Sequence, residues 1–97
     1  MLNSRQRAQL RSMANDYDTI LLVGKSGILD TTVKQVVDAL ESRELIKLGT
    51  LETCPTTARE TADKLAELTN SDVVQVIGRK FILYKESINN KNIKLVK

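Results

Sequence analysis

The segment Leu21-Leu22-Val23-Gly24-Lys25-Ser26-Gly27-Ile28-Leu29-Asp30 passes from an apolar run through a glycine-bounded turn to a helix start. A chain that does this carries a strand into a helix through a short loop, the first step of an α/β unit. Glycines at both ends of the loop let the backbone take positive φ and come close to a ligand, and Lys25 sets a cation at its tip. Such a loop suits a sugar-phosphate chain. Gly24-Lys25-Ser26 also reads as the last three letters of a nucleotide-binding P-loop, G-x-x-x-x-G-K-[ST]. Spacing excludes that reading, because the first glycine of the motif would fall at Thr19, inside the strand. Two readings of the remaining GxxG stay open: a backbone contact for a phosphate chain, or glycines that only reverse the chain direction.

The flanking pattern alternates regularly. Asn3 with Gln6 can form a capping box, and Leu10, Met13, Ala14 and Tyr17 recur at helical spacing, which predicts a helix from Ser4 to about Asp16. Thr19–Val23 is short and aliphatic, hence a strand. Asp30 is a suitable N-cap for a second helix that buries Val33, Val36, Val37 and Leu40 and ends near Arg43. Leu45–Leu51 reads as the second strand. Thr57 and Glu60 form a capping box for a third helix, with Ala62, Leu65, Ala66 and Leu68 on its apolar side. Val73–Ile77 and Phe81–Lys85 are strands joined in a hairpin around Gly78-Arg79-Lys80.

The order is αβαβαββ. Strand-helix-strand units favour parallel crossovers and the closing hairpin is antiparallel, so the sheet is expected to be mixed and four-stranded. The helices are expected to cover mainly one face, giving an α/β chain of the α+β type, a two-layer sandwich. Residues 1–85 form the domain. Residues 86–97, rich in Asn and Lys, read as a loose polar basic tail in which Ile93–Val96 could pair as a short edge strand.

Composition removes several classes of function. The chain has one cysteine, Cys54, and no histidine, so an internal disulfide, the common zinc sites and Ser-His or Cys-His catalytic pairs are excluded. No metal and no cofactor is expected. A chain of 97 residues can bury one core but cannot enclose a deep cavity between domains. No apolar run has membrane-spanning length and the first residues lack a signal-peptide stretch, so a cytoplasmic protein with no membrane partner is expected. A monomer is expected.

Charge is distributed unevenly. Residues 1–15 carry Arg5, Arg7 and Arg11 with no acid, and residues 79–97 carry six basic residues, Arg79 and Lys80 among them, against Glu86 alone. The stretch between them is acidic. Basic ends brought together on an acidic body would present a surface for an anionic polymer. Arg7 and Arg11, four apart on the first helix, are expected to point outward together. Lys34 is expected to pair with Asp38 instead of extending that surface. The three aromatic residues, Tyr17, Phe81 and Tyr84, all fall in apolar patterns and read as core, which argues against bases stacked across a sheet.

Three separated motifs carry a resemblance. Val23-Gly24-Lys25-Ser26-Gly27-Ile28, then Ala39-Leu40-Glu41-Ser42-Arg43-Glu44-Leu45-Ile46-Lys47, then Val74-Gln75-Val76-Ile77-Gly78-Arg79 with Leu83-Tyr84-Lys85 resemble the YhbY family. That family is the stand-alone bacterial form of the chloroplast RNA splicing and ribosome maturation (CRM) domain, and the match covers about residues 4–85. The resemblance implies a fold similar to the C-terminal domain of translation initiation factor 3, RNA binding, association with precursors of the large ribosomal subunit, and no catalytic activity. It implies an RNA contact through Gly24, Lys25, Ser26 and Gly27 and through the first-helix residues Arg5, Arg7 and Arg11. The exposed hairpin cations Arg79 and Lys80 are secondary candidates. The chain departs from the family in lacking a proline before the first strand and in having Lys85 where arginine is usual. Ribosomal RNA is therefore the expected partner; the alternative is a non-enzymatic module that docks on a ribosomal or assembly protein, with the cations incidental.

Overall fold

A computed structural model describes residues 2–89, 91 and 93–96 of the chain. In chain order the elements are α1 (Ser4–Ala14), β1 (Thr19–Val23), α2 (Asp30–Arg43), β2 (Leu45–Thr50), α3 (Ala58–Thr69), β3 (Asp72–Ile77) and β4 (Lys80–Tyr84). The strands form one sheet in the order β1-β2-β4-β3. β1 runs parallel to β2, and β4 is antiparallel to both β2 and β3, so the sheet is mixed as expected. Gly78 takes φ +57° at the first central position of the β3–β4 connection, the conformation that a type II′ hairpin asks of glycine.

Local chemistry explains the helix ends. Asn3 Oδ1 accepts the Gln6 N–H at 2.8 Å while Gln6 Oε1 accepts the Asn3 N–H at 3.1 Å, and Thr57 with Glu60 does the same for α3. The start of α2 differs from expectation. Leu29, not Asp30, is the N-cap, and Asp30 is the first helical residue. Leucine has no acceptor to offer the first-turn amides, so only the reverse contact forms, from Leu29 N–H to Thr32 Oγ1 at 3.1 Å. α2 ends at Arg43 and is capped by Glu44, which takes φ +64°, a conformation costly for a side chain with a Cβ.

β4 decides the layering. Phe81, Ile82, Leu83 and Tyr84 are all buried, and because strand side chains alternate, both faces of the sheet need cover. Phe81 and Leu83 join Ile46, Leu48, Leu40 and Leu65 in a core under α2 and α3. Ile82 and Tyr84 join Leu45, Val74, Leu10 and Ala14 in a second core, under α1 on the opposite face, so the α+β fold has helices on both faces and three layers instead of the two expected. Burying a side chain such as Leu10 contributes about 1.5–3 kcal/mol, enough to hold α1 on a face that the pattern of helices alone had left open.

Several side chains read as buried are not. Val37 and Leu68 are exposed, and Thr61 and Thr69 are buried on α3 in their place. Their hydroxyls donate back to the carbonyls of Thr57 and Leu65 at 2.8 and 2.6 Å, which satisfies them inside the core. Tyr17 is also not core. α1 stops at Ala14, and the Tyr17 N–H bonds to the Ala14 carbonyl in a turn, so the helical stripe no longer governs where Tyr17 points.

Among the described residues beyond Glu86 no strand forms, and the segment instead lies against α1 and the end of α2. The Glu44 carboxylate accepts the N–H groups of Ser87 and Ile93 at 2.8 and 2.9 Å, and Glu41 accepts those of Ile88 and Asn89. Gln6 and Gln9 bond to the backbone of Val96 and Lys94, and Ile93 and Leu95 pack on the second core.

Candidate nucleic-acid interface

β1 and β2 run parallel and end side by side, and the hairpin that opens β4 returns to the same end of the sheet. The Leu51 N–H bonds to the Val23 carbonyl at 2.9 Å, holding the end of β2 against the start of the Gly24–Gly27 loop. The Thr50 N–H bonds to the Arg79 carbonyl at 2.8 Å, holding the hairpin turn against the end of β2. Two exposed loops, one with Lys25 and Ser26 and one with Arg79 and Lys80, thus share one end of the sheet.

The loop itself is a closed turn, with the Gly27 N–H donating to the Gly24 carbonyl at 2.9 Å. Its two glycines have different reasons to be glycine. Gly27 takes φ +68°, where a side chain would be strained; Gly24 does not take positive φ, contrary to expectation. A Cβ at Gly24 would lie 3.4 Å from Leu51 Cδ1, an ordinary contact, so the fold alone does not require glycine there. Pro55 adjoins the loop at Gly27, and Cys54 precedes it, packed on the core under α2 and α3. Burial pushes the Cys54 thiol up, but hydrogen bonds with Thr56 and Thr61 outweigh it and leave its pKa lowered.

The remaining candidate cations divide by what holds them. Arg5, Arg11, Lys25, Arg79 and Lys80 are exposed and form no ion pair among the described residues. Arg7 does not point outward with Arg11. It is half-buried, and its Nη1 donates to the Val73 carbonyl on β3, so part of its donor set is spent on fixing α1 to the sheet edge. Lys34 pairs with Asp38 at 3.6 Å, as expected. Two cations that the sequence reading did not single out, Arg43 and Lys47, line an open groove of about 480 Å³ together with Tyr17. Lys47 sits in an otherwise apolar strand, and that interruption was the available signal. Among the described residues no group of three or more Cys, Asp or Glu is arranged to hold a metal ion, and no helix is long and apolar enough to cross a membrane.

A mixed sheet with a glycine-bounded loop at the end of β1 and exposed cations around it defines an α+β domain whose sheet end can meet an anionic chain. The family model for the CRS1 / YhbY (CRM) domain matches residues 2–85, and the chain belongs to this family. It is 43% identical over 95 residues to "Probable RNA-binding protein YqeI" of Bacillus subtilis, covering 98% of this chain and 99% of that one. It is 28% identical over 93 residues to "Probable RNA-binding protein PA4753" of Pseudomonas aeruginosa, covering 95% of this chain and 89% of the relative. The solution structure of the hypothetical protein SAV1595 from Staphylococcus aureus superposes with a TM-score of 0.82 at 44% identity, over 99% of this chain and 100% of that chain.

Proposed function

We propose that this protein is a non-enzymatic RNA-binding domain that grips the sugar-phosphate chain of structured RNA at the end of the sheet where the Gly24–Gly27 loop meets the hairpin turn. The observation that carries the reading is the pair of backbone hydrogen bonds, Leu51 to Val23 and Thr50 to Arg79, that set Lys25 beside Arg79 and Lys80 on exposed loops. Loop amides and unpaired cations held on a rigid sheet edge suit phosphate contact, as in a KH domain's GXXG clamp. Arg5 and Arg11 extend the surface along α1. The partner in this reading is ribosomal RNA in cytoplasmic precursors of the large subunit, with the protein assisting assembly.

The test is RNA binding by the Lys25→Ala variant on purified ribosomal RNA freed of protein. If these cations neutralise roughly four to six phosphates, log affinity falls against log salt with a slope of about −3 to −5 in the parent, and Lys25→Ala makes the slope shallower by about one unit. Unchanged affinity in a folded Lys25→Ala protein would remove that side chain from the mechanism. Retention on intact particles but not on stripped RNA would favour docking on a ribosomal or assembly protein.

A further inference from the structure

The groove beside Tyr17 lies on the α1 face of the sheet, away from the glycine loop, and its lining is mixed in chemistry. Part of it is apolar and aromatic, with Met13, Tyr17 and Ile20 each more than a third exposed at 36%, 37% and 38%. The same lining carries Arg43, at the end of α2, and Lys47, in the middle of β2 beside Thr19 of β1, and neither forms an ion pair among the described residues. Asp18 is the one carboxylate on the lining, and it adjoins Tyr17.

The groove also connects to the loop end of the sheet. Lys47 pairs with Ile82 and Lys80 precedes Ile82 by two, so both lysines stand on the α1 face. Lys47 and Lys80 line a second, smaller cavity together, and the Lys80 stem lies so close over Gly49 that a Cβ there would meet it at 2.9 Å. Arg43, Lys47, Lys80 and Arg79 therefore follow β2 from its start to its end. At about 3.3 Å per residue this row spans roughly 20 Å.

We infer that the groove takes one unpaired nucleotide of a bound RNA strand, its base stacked on Tyr17 and its phosphate held between Arg43 and Lys47. The inference rests on the RNA-binding reading above and adds a second contact to it, reached along the row of cations on β2. A nucleotide offers both groups that this lining can hold: a flat π-face for Tyr17, and an anion for Arg43 and Lys47. Asp18, next to Tyr17, repels phosphate and can accept a hydrogen bond from a base N–H group, such as the N3–H of uracil, which fixes the orientation. A volume of about 480 Å³ lies in the usual range for small-ligand sites.

The chain has no tryptophan, so Tyr17→Trp introduces a single reporter at the groove. Its fluorescence is expected to be quenched by a short single-stranded oligouridylate and to be unmoved by inorganic tripolyphosphate. Tyr17→Ala is expected to lower affinity for the same RNA roughly 5- to 150-fold, the range for losing one base–aromatic stack, with an unchanged salt slope and melting temperature. Tyr17→Phe should keep most of the affinity, and Arg43→Ala or Lys47→Ala should each make the salt slope shallower by about 0.7. Parent-like affinity in Tyr17→Ala overturns the inference, as does a tryptophan that answers an acidic peptide but not oligouridylate. Should Lys25→Ala weaken binding while Tyr17→Ala does not, the groove alone fails; should neither do so, the RNA-binding reading fails with it.

Discussion

Replacing each glycine of the loop by alanine separates what the fold needs from what a ligand needs. At Gly27 the backbone sits at φ +68°, where an L side chain costs about 1–2 kcal/mol, while the new Cβ would meet Pro55 Cγ only at a comfortable 3.6 Å. The penalty is therefore strain without collision. For a domain of this size each kcal/mol moves the melting temperature by about 4–8 °C, so Gly27→Ala should melt roughly 4–16 °C below the parent. Gly24 has neither a positive φ nor a tight neighbour, since its Cβ would touch the end of the exposed Leu51 side chain at 3.4 Å. Gly24→Ala should accordingly stay within about 0.5 kcal/mol of the parent. Calorimetry and urea titration measure both variants, and RNA titration of the same samples completes the comparison. If Gly24 is glycine so that a sugar-phosphate chain can approach, Gly24→Ala loses affinity while keeping its stability. Equal melting temperatures for the two variants would refute the backbone argument, and parent-like RNA binding by Gly24→Ala would refute the close-approach argument.

Arg7→Ala should cost about 0.5–1.5 kcal/mol of stability, because its guanidinium bonds to the Val73 carbonyl, whereas exposed Arg11→Ala should leave urea unfolding nearly unchanged. Both should lower RNA affinity without regard to sequence, and equal stabilities would contradict the anchoring role of Arg7. Acid should loosen the segment around residues 87–89. The Glu41 carboxyl is held below its usual value of 4.5, chiefly by the Asn89 backbone N–H, so its contribution is present above that value and is lost as pH falls through the lower, folded one. Protection of the Ile88 and Asn89 amides, relative to their intrinsic exchange rate at each pH, should therefore fall below about pH 4.5 in the parent and be low at every pH in Glu41→Ala.

Much of the architecture was readable because its signals are local. The capping residues Asn3 and Thr57, the glycine at the hairpin turn and the apolar runs each act within a few positions, and all seven elements lie close to where those signals put them. The misses came from interactions that local periodicity does not contain. Val37 and Leu68 follow a helical pattern, yet only neighbouring elements decide which part of an apolar stripe is covered. Leu29 displaced Asp30 as the N-cap because the loop enters α2 one residue earlier. At the site, the loop and hairpin cations could be named from the sequence, but their adjacency depends on strand order. The partner of Arg7 is a backbone carbonyl 66 residues away, which no side-chain spacing could indicate. Tyr17 was misread for a simpler reason: the helix ends three residues before it.

The placement of α1 also bears on the order of events as the chain is made. The helix has 11 residues, too few to persist alone in water. Apart from Leu2, the buried partners of Leu10 and Ala14 begin at Leu45 and continue through Val74, Ile82 and Tyr84, and two glutamines of the helix bond to residues 85 to 90 positions downstream. At translation rates of 5–20 residues per second, about 4–14 s separate the synthesis of Ala14 from that of Tyr84. Through that interval the basic helix lacks the β3 and β4 part of the surface it docks on, while β1, α2 and β2 can already assemble. The earliest helix in the sequence is thus the last to be secured, and its arginines are the part of the proposed binding surface that a nascent chain leaves longest without a scaffold.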